Sequence, residues 1–190
     1  MDKHIRDDSA PRLGFWLYLM TDVMLFASFF ATFMILRNAT NGAGTGKELF
    51  DLPFVLLETI ILLASSVAVG IAAAALKFNK TTWFVVGMGT TLLLGAMFLA
   101  LEIKEFAAFV NEGNAWTESA FLSAFFTLVG AHGLHILVGL LWGSSLLWVF
   151  LKKRTYDIKS KMVLFSLFWH FLDIVWIFIF TVVYIFGAKL

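Results

Sequence analysis

Long apolar stretches, separated by short polar segments, dominate the pattern of this sequence. Five of the stretches contain roughly 20 residues or more, enough for a helix rising about 1.5 Å per residue to cross about 30 Å of hydrocarbon. They cover approximately residues 14–36, 53–76, 83–103, 120–151 and 162–188. Each must be helical in a bilayer, because unpaired backbone groups find no water there. The pattern predicts an all-α membrane protein, a bundle of five transmembrane helices.

The composition supports this class. Hydrophobic residues make up 61% of the chain and charged residues 14%, and the mean hydropathy of +0.89 excludes a water-soluble globular domain. The chain has no cysteine, which excludes disulfides and thiolate metal sites. We expect residues 1–13 to form a cytoplasmic tail and residues 14–190 a single five-helix domain.

Lysine and arginine are unevenly distributed over the two sides of the predicted bundle. One side, which holds the amino terminus, carries ten of them and the other side carries four. Positive charge accumulates on cytoplasmic loops. The amino terminus is therefore predicted in the cytoplasm and the carboxyl terminus in the periplasm. The loops are too short for a soluble domain, so any function should lie within the bilayer.

Small residues recur at four-residue spacing in two spans. They are Ser66, Gly70 and Ala74 in the second span and Gly139 and Gly143 in the fourth. Such stripes let helix backbones approach closely in lipid. Both stripes are predicted to be helix-packing faces.

Ionisable residues inside the spans are the candidate functional residues, because charge is costly in hydrocarbon. The candidates are Asp22, Glu58, Glu102, His132, His135, His170 and Asp173. Counted along the helices, Asp22 and His170 lie at similar depth and Asp173 about one turn deeper. Contact among these three is geometrically possible. Asp22 is either a structural or a proton-linked carboxyl.

Two pairs of these residues share a helix face. His170 and Asp173, three residues apart, could hydrogen-bond each other; a structural tie is the favoured interpretation, with a metal or proton-relay role as the alternative. His132 and His135 could ligate one metal. No Glu-x-x-His motif accompanies them, so interhelical hydrogen bonds or lipid headgroup contacts are favoured.

The glutamates lie closer to the outer boundary of the predicted bundle. Glu58 is about one turn inside its span, where either a hydrogen bond to a neighbouring helix or protonation of the desolvated carboxyl would make it tolerable. Glu102, Lys104 and Glu105 are expected to form a wet cluster at the membrane boundary.

Several motifs in a fixed order carry a resemblance to a known family. They are "GFWLYLMTDVMLF", "LPFVLLETIILLASS", "LEIKEF", "FLSAFFTLVGAHGLHILVGLLW" and "FWHFLDIVWIFIFTVVYIFG". Together they resemble subunit III of the haem-copper terminal oxidases, over nearly the whole chain after Leu13. Five spans, with "TGKELFDLPFVLLET" after the first, are most similar to the cytochrome bo type of ubiquinol oxidase.

The resemblance implies an accessory subunit of a proton-pumping quinol oxidase in the bacterial inner membrane. In that family the chain has no catalytic, cofactor-binding or metal-binding residues, and haem and copper belong to the partner catalytic subunit. The implied partners are subunit I, subunits II and IV, and bound phospholipid, with no nucleic acid. The implied role is support of assembly, proton uptake and turnover stability. Asp22 matches the family's intramembrane carboxyl, which is a glutamate in many cytochrome c oxidising relatives.

Two other functions remain open from the residues alone. One is a free-standing membrane metalloenzyme that uses His132, His135 and His170. The other is a small transporter, although the duplicated halves and broken spans typical of transporters are missing. The electron donor of the complex, quinol or cytochrome c, is not encoded in motifs of this chain.

Overall fold

A computed structural model describes residues 9–40, 50–152 and 158–187. These ranges contain five α-helices and no strand. The helices are α1 (Ser9–Leu36), α2 (Leu52–Lys77), α3 (Thr81–Asn111), α4 (Ala120–Lys152) and α5 (Lys159–Ile179). A π-helical segment, Phe180–Ile185, continues α5. Each of the five is long and apolar enough to cross a membrane, which confirms the predicted fold class.

The helices extend beyond the apolar stretches. Helix α1 begins at Ser9, before the predicted start at residue 14, and α3 ends at Asn111 rather than near residue 103. An apolar stretch ends where charged residues become frequent, whereas a helix continues as long as its backbone hydrogen bonds do. Residues 1–8 of the predicted tail lie outside the described residues.

Local chemistry explains where the helices begin and turn. The side chain of Asp51 caps α2 by accepting a hydrogen bond from the backbone N–H of Phe54. Between α2 and α3, Asn79 has a positive φ of 56° and the N–H of Lys80 donates to the carbonyl of Ala75 over 2.8 Å. This connection is so short that α2 and α3 must be antiparallel neighbours. They form the most extensive helix pair in the described bundle.

Glycines on α3 and α4 make room for large aromatic rings of α5. A Cβ atom placed on Gly95 would lie 2.8 Å from the Trp169 ring, and one on Gly139 would lie 2.9 Å from the same ring. At Gly143 the corresponding distance to the Phe165 ring is 2.8 Å. The stripe of Gly139 and Gly143 is therefore a packing face, as predicted.

The stripe on α2 behaves differently. A Cβ atom on Gly70 would meet nothing within 4 Å, and Ala74 is exposed. The prediction that Ser66, Gly70 and Ala74 form a packing face is wrong for the last two residues. Small size permits close packing but does not select the side of the helix on which a neighbour lies.

Candidate functional site

Three glutamates from two helices lie together inside the bundle. Glu58 of α2 is 0% exposed, and Glu102 and Glu105 of α3 are 2% and 7% exposed. Their carboxyls are close enough to interact electrostatically. This carboxyl cluster (Glu58, Glu102 and Glu105) is the largest concentration of acidic groups in the described interior.

The groups around the carboxyl cluster come from two further elements. The Tyr184 hydroxyl, on the π-helical segment, donates to Glu105 Oε2 over 2.8 Å. Glu102 lies against the backbone of α4 at Gly133, where a Cβ atom would be 2.6 Å from Glu102 Oε1. Both Glu58 oxygens and Glu102 Oε2 have no hydrogen-bond partner within the described part of the chain. Buried polar atoms without a hydrogen-bond partner are uncommon in folded proteins, so each of them calls for an explanation.

The predicted wet cluster of Glu102, Lys104 and Glu105 is wrong for both acids. Only Lys104 is exposed. Because α3 continues to Asn111, Glu102 and Glu105 still lie within the helix, on the same face as the buried Phe98 and Phe109. Positions spaced three or four residues apart share one helix face, so the two carboxyls point into the bundle.

His132 lies in an aromatic cage. Its ring is fully buried and stacks on Trp176 at a centroid distance of 5.2 Å, with the Phe98 ring edge-on at 5.9 Å. Neither ring nitrogen has a hydrogen-bond partner among the described residues. The expected interhelical hydrogen bond of His132 is therefore not made here; the contact with its neighbours is through ring faces and edges.

His135 faces Asp22. Its Nε2 lies 3.7 Å from Asp22 Oδ1, and its Nδ1 lies 2.7 Å from the carbonyl oxygen of Ala131. A carbonyl only accepts, so Nδ1 carries the proton in that bond. The Asp22 carboxyl thus lies beside Tyr18 of its own helix and faces a histidine of α4, whereas contact with His170 of α5 had been considered possible. Depth along the axes leaves the rotation of each helix undetermined, and α1 packs mainly on α4.

His170 connects α5 to α2 through Ser66. The Ser66 hydroxyl lies 2.7 Å from His170 Nδ1, and it also neighbours the carboxyl of Asp173. Asp173 Oδ1 has no hydrogen-bond partner in the described ranges. Ser66, which links His170 and Asp173, belongs to α2, so the two residues of α5 take part in an interhelical contact.

Two further interhelical hydrogen bonds escaped the sequence analysis. The indole N–H of Trp169 donates to Ser65 Oγ, and that of Trp176 donates to Thr59 Oγ1, each over 3.0 Å. Both hydroxyls lie on the buried face of α2. The sequence did contain a signal, since hydroxyl residues recur on one side of this apolar span. Such residues form hydrogen bonds between membrane helices.

The three described histidines have different polar surroundings, although His132 and His135 both lie near the Phe26 ring. His132 contacts aromatic rings, His135 contacts Asp22, and His170 contacts Ser66. In the described ranges no group of three or more histidine, aspartate or glutamate side chains is arranged to hold a metal ion. What these buried polar groups do in this geometry is connect helices: α2 to α5, α1 to α4 and α3 to the π-helical segment.

Comparison with known proteins decides the family. The chain matches the sequence model of the cytochrome c oxidase subunit III family over residues 5–188. It belongs to this family. The resemblance seen in the ordered motifs is thereby confirmed, and the chain is a multi-pass membrane subunit of an oxidase complex.

Bacterial members of the subunit III family are close relatives. The cytochrome bo(3) ubiquinol oxidase subunit 3 of Pseudomonas aeruginosa is 51% identical over 176 residues, which is 92% of this chain and 84% of the relative. Cytochrome c oxidase subunit 3 of Bacillus sp. (strain PS3) is 48% identical over 181 residues, 92% of this chain and 85% of the relative. Quinol oxidase subunit 3 of Bacillus subtilis is 46% identical over 177 residues, which is 92% of this chain and 86% of the relative. Subunit III chains of quinol and of cytochrome c oxidases are thus similar to this one to almost the same degree.

Proposed function

We propose that this chain is the accessory subunit III of a proton-pumping quinol oxidase in a bacterial inner membrane. The observation that supports this most is the 51% identity to a ubiquinol oxidase subunit 3, which extends over 92% of the chain. In this proposal the reaction, transfer of electrons from quinol to oxygen, takes place at haem and copper in the catalytic subunit. This chain contributes no catalytic, cofactor-binding or metal-binding residue.

The partners follow from the same proposal. The chain packs mainly on subunit I, contacts subunits II and IV of the same complex, and holds phospholipid between its helices. Large apolar side chains cover its outer surface, with Leu93 71% and Leu141 65% exposed. Such a surface suits both lipid and a partner subunit in the bilayer. The unequal distribution of lysine and arginine supports an amino terminus in the cytoplasm and a carboxyl terminus in the periplasm.

The role of the chain in the complex is structural support. Hydrogen bonds through Thr59, Ser65 and Ser66 connect α2 to α5, and they hold the bundle in one shape against its larger partner. We propose that this bracing assists assembly, sustains proton uptake by subunit I and lengthens the catalytic lifetime. Asp22 and the carboxyl cluster remain the candidates for any proton-linked contribution.

Purification of the complex through a tag on this chain tests the proposal. The tagged chain should bring down a complex that shows haem absorption, oxidises ubiquinol and leaves reduced cytochrome c unoxidised. After removal of this chain with stronger detergent, the first turnovers should be unchanged while activity decays faster during turnover. Recovery of the chain without haem, or oxidation of cytochrome c alone, would contradict the proposal.

Asp173 allows a sharper test of the bracing role. Replacing Asp173 with leucine removes the carboxyl beside Ser66 and His170, and we expect a smaller fraction of this chain to be retained in the purified complex at unchanged haem content. Ile174→Leu is the matched control, because Ile174 is exposed on the next position of the same helix. Loss of haem from the assembled Asp173→Leu complex would show that the residue does more than brace the bundle.

A further inference from the structure

Two acids of the carboxyl cluster are buried within this chain itself. Glu58 of α2 is 0% exposed and Glu102 of α3 is 2% exposed, so neither carboxyl presents a surface that another subunit or a lipid could cover. The backbone of α4 at Gly133 lies directly against Glu102. The charge state of the two carboxyls is therefore determined by groups inside the bundle.

The charged neighbours of these carboxyls are other acids. Glu58, Glu102 and Glu105 interact with one another, and Glu105 also interacts with Asp51. No ion pair connects any of the three glutamates to a lysine or arginine in the described ranges. Three carboxylates at such close range, in an interior that screens charge poorly, would repel one another strongly. The three glutamates cannot all be ionised together.

The titratable groups on the surrounding elements add no positive charge. Lys104, between the two glutamates of α3, is exposed. On α4, the residue next to Gly133 is His132, whose ring contacts the aromatic rings of Trp176 and Phe98. The π-helical segment contributes the hydroxyl of Tyr184, which is a neutral hydrogen-bond donor.

Hydrogen bonding distinguishes Glu105 from the other two glutamates. Glu105 Oε2 accepts the hydrogen bond of Tyr184 over 2.8 Å, and a donor of this kind stabilises a carboxylate. Neither oxygen of Glu58 has a partner in the described ranges, and neither does Glu102 Oε2. A buried carboxylate without a donor is strongly disfavoured, whereas the neutral acid needs no counter-charge. The unpartnered Glu58 side chain of α2 thus faces the glutamates of α3 as a neutral acid.

We propose that Glu58 and Glu102 form a proton-binding site, in which each carboxyl holds a proton at neutral pH and Glu105 connects the site to water at Asp51. Glu105 interacts with both acids and with Asp51, the exposed N-cap residue of α2. A proton that leaves the hydroxyl of Glu58 or Glu102 is taken up by the Glu105 carboxylate, and then passes to the Asp51 carboxylate and water. The inference deepens the proposed function, on which it rests for a proton-linked contribution, by giving that contribution a site and a route.

Infrared spectroscopy of the purified oxidase complex tests the protonation of the site. The C=O stretch of a protonated carboxyl shifts when its proton is exchanged for deuterium, so spectra in H₂O and D₂O at neutral pH are compared between complexes. Glu58→Gln and Glu102→Gln should each remove one protonated carboxyl from the difference spectrum, and the double variant should remove both. Glu112→Gln is the matched control, because Glu112 is exposed at the end of α3 and should leave this spectrum unchanged.

The rate of deuterium uptake tests the route. Glu105→Gln keeps the size of the side chain but removes the group that takes up the proton, so exchange at Glu58 and Glu102 should become severalfold slower. Asp51→Asn should also slow the exchange, while asparagine preserves the N-cap of α2. The Glu112→Gln complex should exchange at the native rate.

Several results would overturn the inference. Unchanged difference spectra in the Glu58→Gln and Glu102→Gln complexes would show that both acids are ionised. Deuterium uptake that is unaffected by Glu105→Gln would contradict the route. A protonated-carboxyl signal that appears only when choline replaces sodium in the buffer would show that a cation, rather than protons, balances the cluster. Glutamine matches the neutral acid in shape and charge, so failure of the Glu58→Gln chain to assemble would contradict a protonated Glu58.

The two proposals fail in different ways. Recovery of the chain in a haem-containing quinol oxidase, with a spectrum that these substitutions do not change, would overturn the proton-binding site and leave the proposed function intact. Recovery of a haem-free chain that still loses one protonated carboxyl with each substitution would do the reverse.

Discussion

Gly87 provides a quantitative test of how α2 and α3 pack. It lies on α3, facing α2. A Cβ atom at this position would be 3.0 Å from the Ala68 carbonyl oxygen, 3.0 Å from Ala72 Cβ and 3.1 Å from the Ala72 backbone nitrogen. Two of these three atoms belong to the backbone of α2, which cannot move aside as a side chain can. Gly87→Ala should therefore push the two helices apart.

The magnitude follows from two opposing effects. Overpacking in a close-packed interior costs about 1–3 kcal/mol, whereas replacing glycine by alanine inside a helix gains up to about 1 kcal/mol. Gly89, two residues later on α3, has nothing within 4 Å of a Cβ atom. Gly89→Ala should show the gain alone. The difference between the two variants removes the propensity gain and leaves about 1–3 kcal/mol for the steric conflict.

Heat release of this chain from the purified complex gives the measurement. The complex is heated in steps, and the temperature at which half of the chain has dissociated is read from a native gel. For unfolding of a chain of this size, about 1 kcal/mol corresponds to roughly 2–4 °C. Where release follows unfolding of the chain, Gly87→Ala should therefore dissociate several degrees below Gly89→Ala. Gly87→Ala should lower the dissociation temperature less in a chain that already carries Ala72→Gly than in the native chain, because one of the three close contacts is then absent. Equal dissociation temperatures for the two single variants would refute the packing argument.

The remaining predictions concern interhelical hydrogen bonds. Thr59→Val removes the acceptor of the buried Trp176 N–H at nearly constant shape, and should lower the free energy of unfolding by about 1–3 kcal/mol. The control is Thr90→Val, at an exposed position. An equal loss of stability in both variants would contradict the role of the hydrogen bond. Tyr184→Phe and Glu105→Gln each weaken the contact between the hydroxyl and the carboxyl, so a double-mutant cycle on the free energy of unfolding should give a coupling of about 0.5–3 kcal/mol. Additive losses would show that the two residues act independently.

The π-helical segment illustrates a feature that the sequence pattern did not predict. Residues 180–185 belong to the same apolar run as α5 and differ from it in no obvious way. In this segment the side chain of Tyr184 is fully buried, and its hydroxyl donates a hydrogen bond to Glu105. A π-helical turn inserts one residue into the helical repeat, and such turns occur frequently at functional sites. The carboxyl that Tyr184 bonds belongs to another helix, so the sequence of this span alone does not show the contact.

The two stripes of small residues carry the same lesson. Both have the four-residue spacing that permits close packing, yet Gly139 and Gly143 contact aromatic rings of α5 while Gly70 faces open space. The large rings of Phe165 and Trp169 fill the space beside Gly139 and Gly143. A stripe of small residues becomes a packing face only where a neighbouring helix presents large side chains to it. The sequence of one helix therefore does not determine whether its stripe packs.

The sequence by itself determined the number of spans, their helical conformation, their approximate bounds and the family. These properties are local, because each span must satisfy its own backbone hydrogen bonds in lipid, and because ordered motifs can be recognised without coordinates. Only the tertiary structure decided that Asp22 faces His135, that His170 contacts Ser66, and that Glu102 and Glu105 are buried beside Glu58. Such contacts depend on the rotation of each helix about its axis, which is set by the complementary shapes of neighbouring helices rather than by the hydropathy of any one of them.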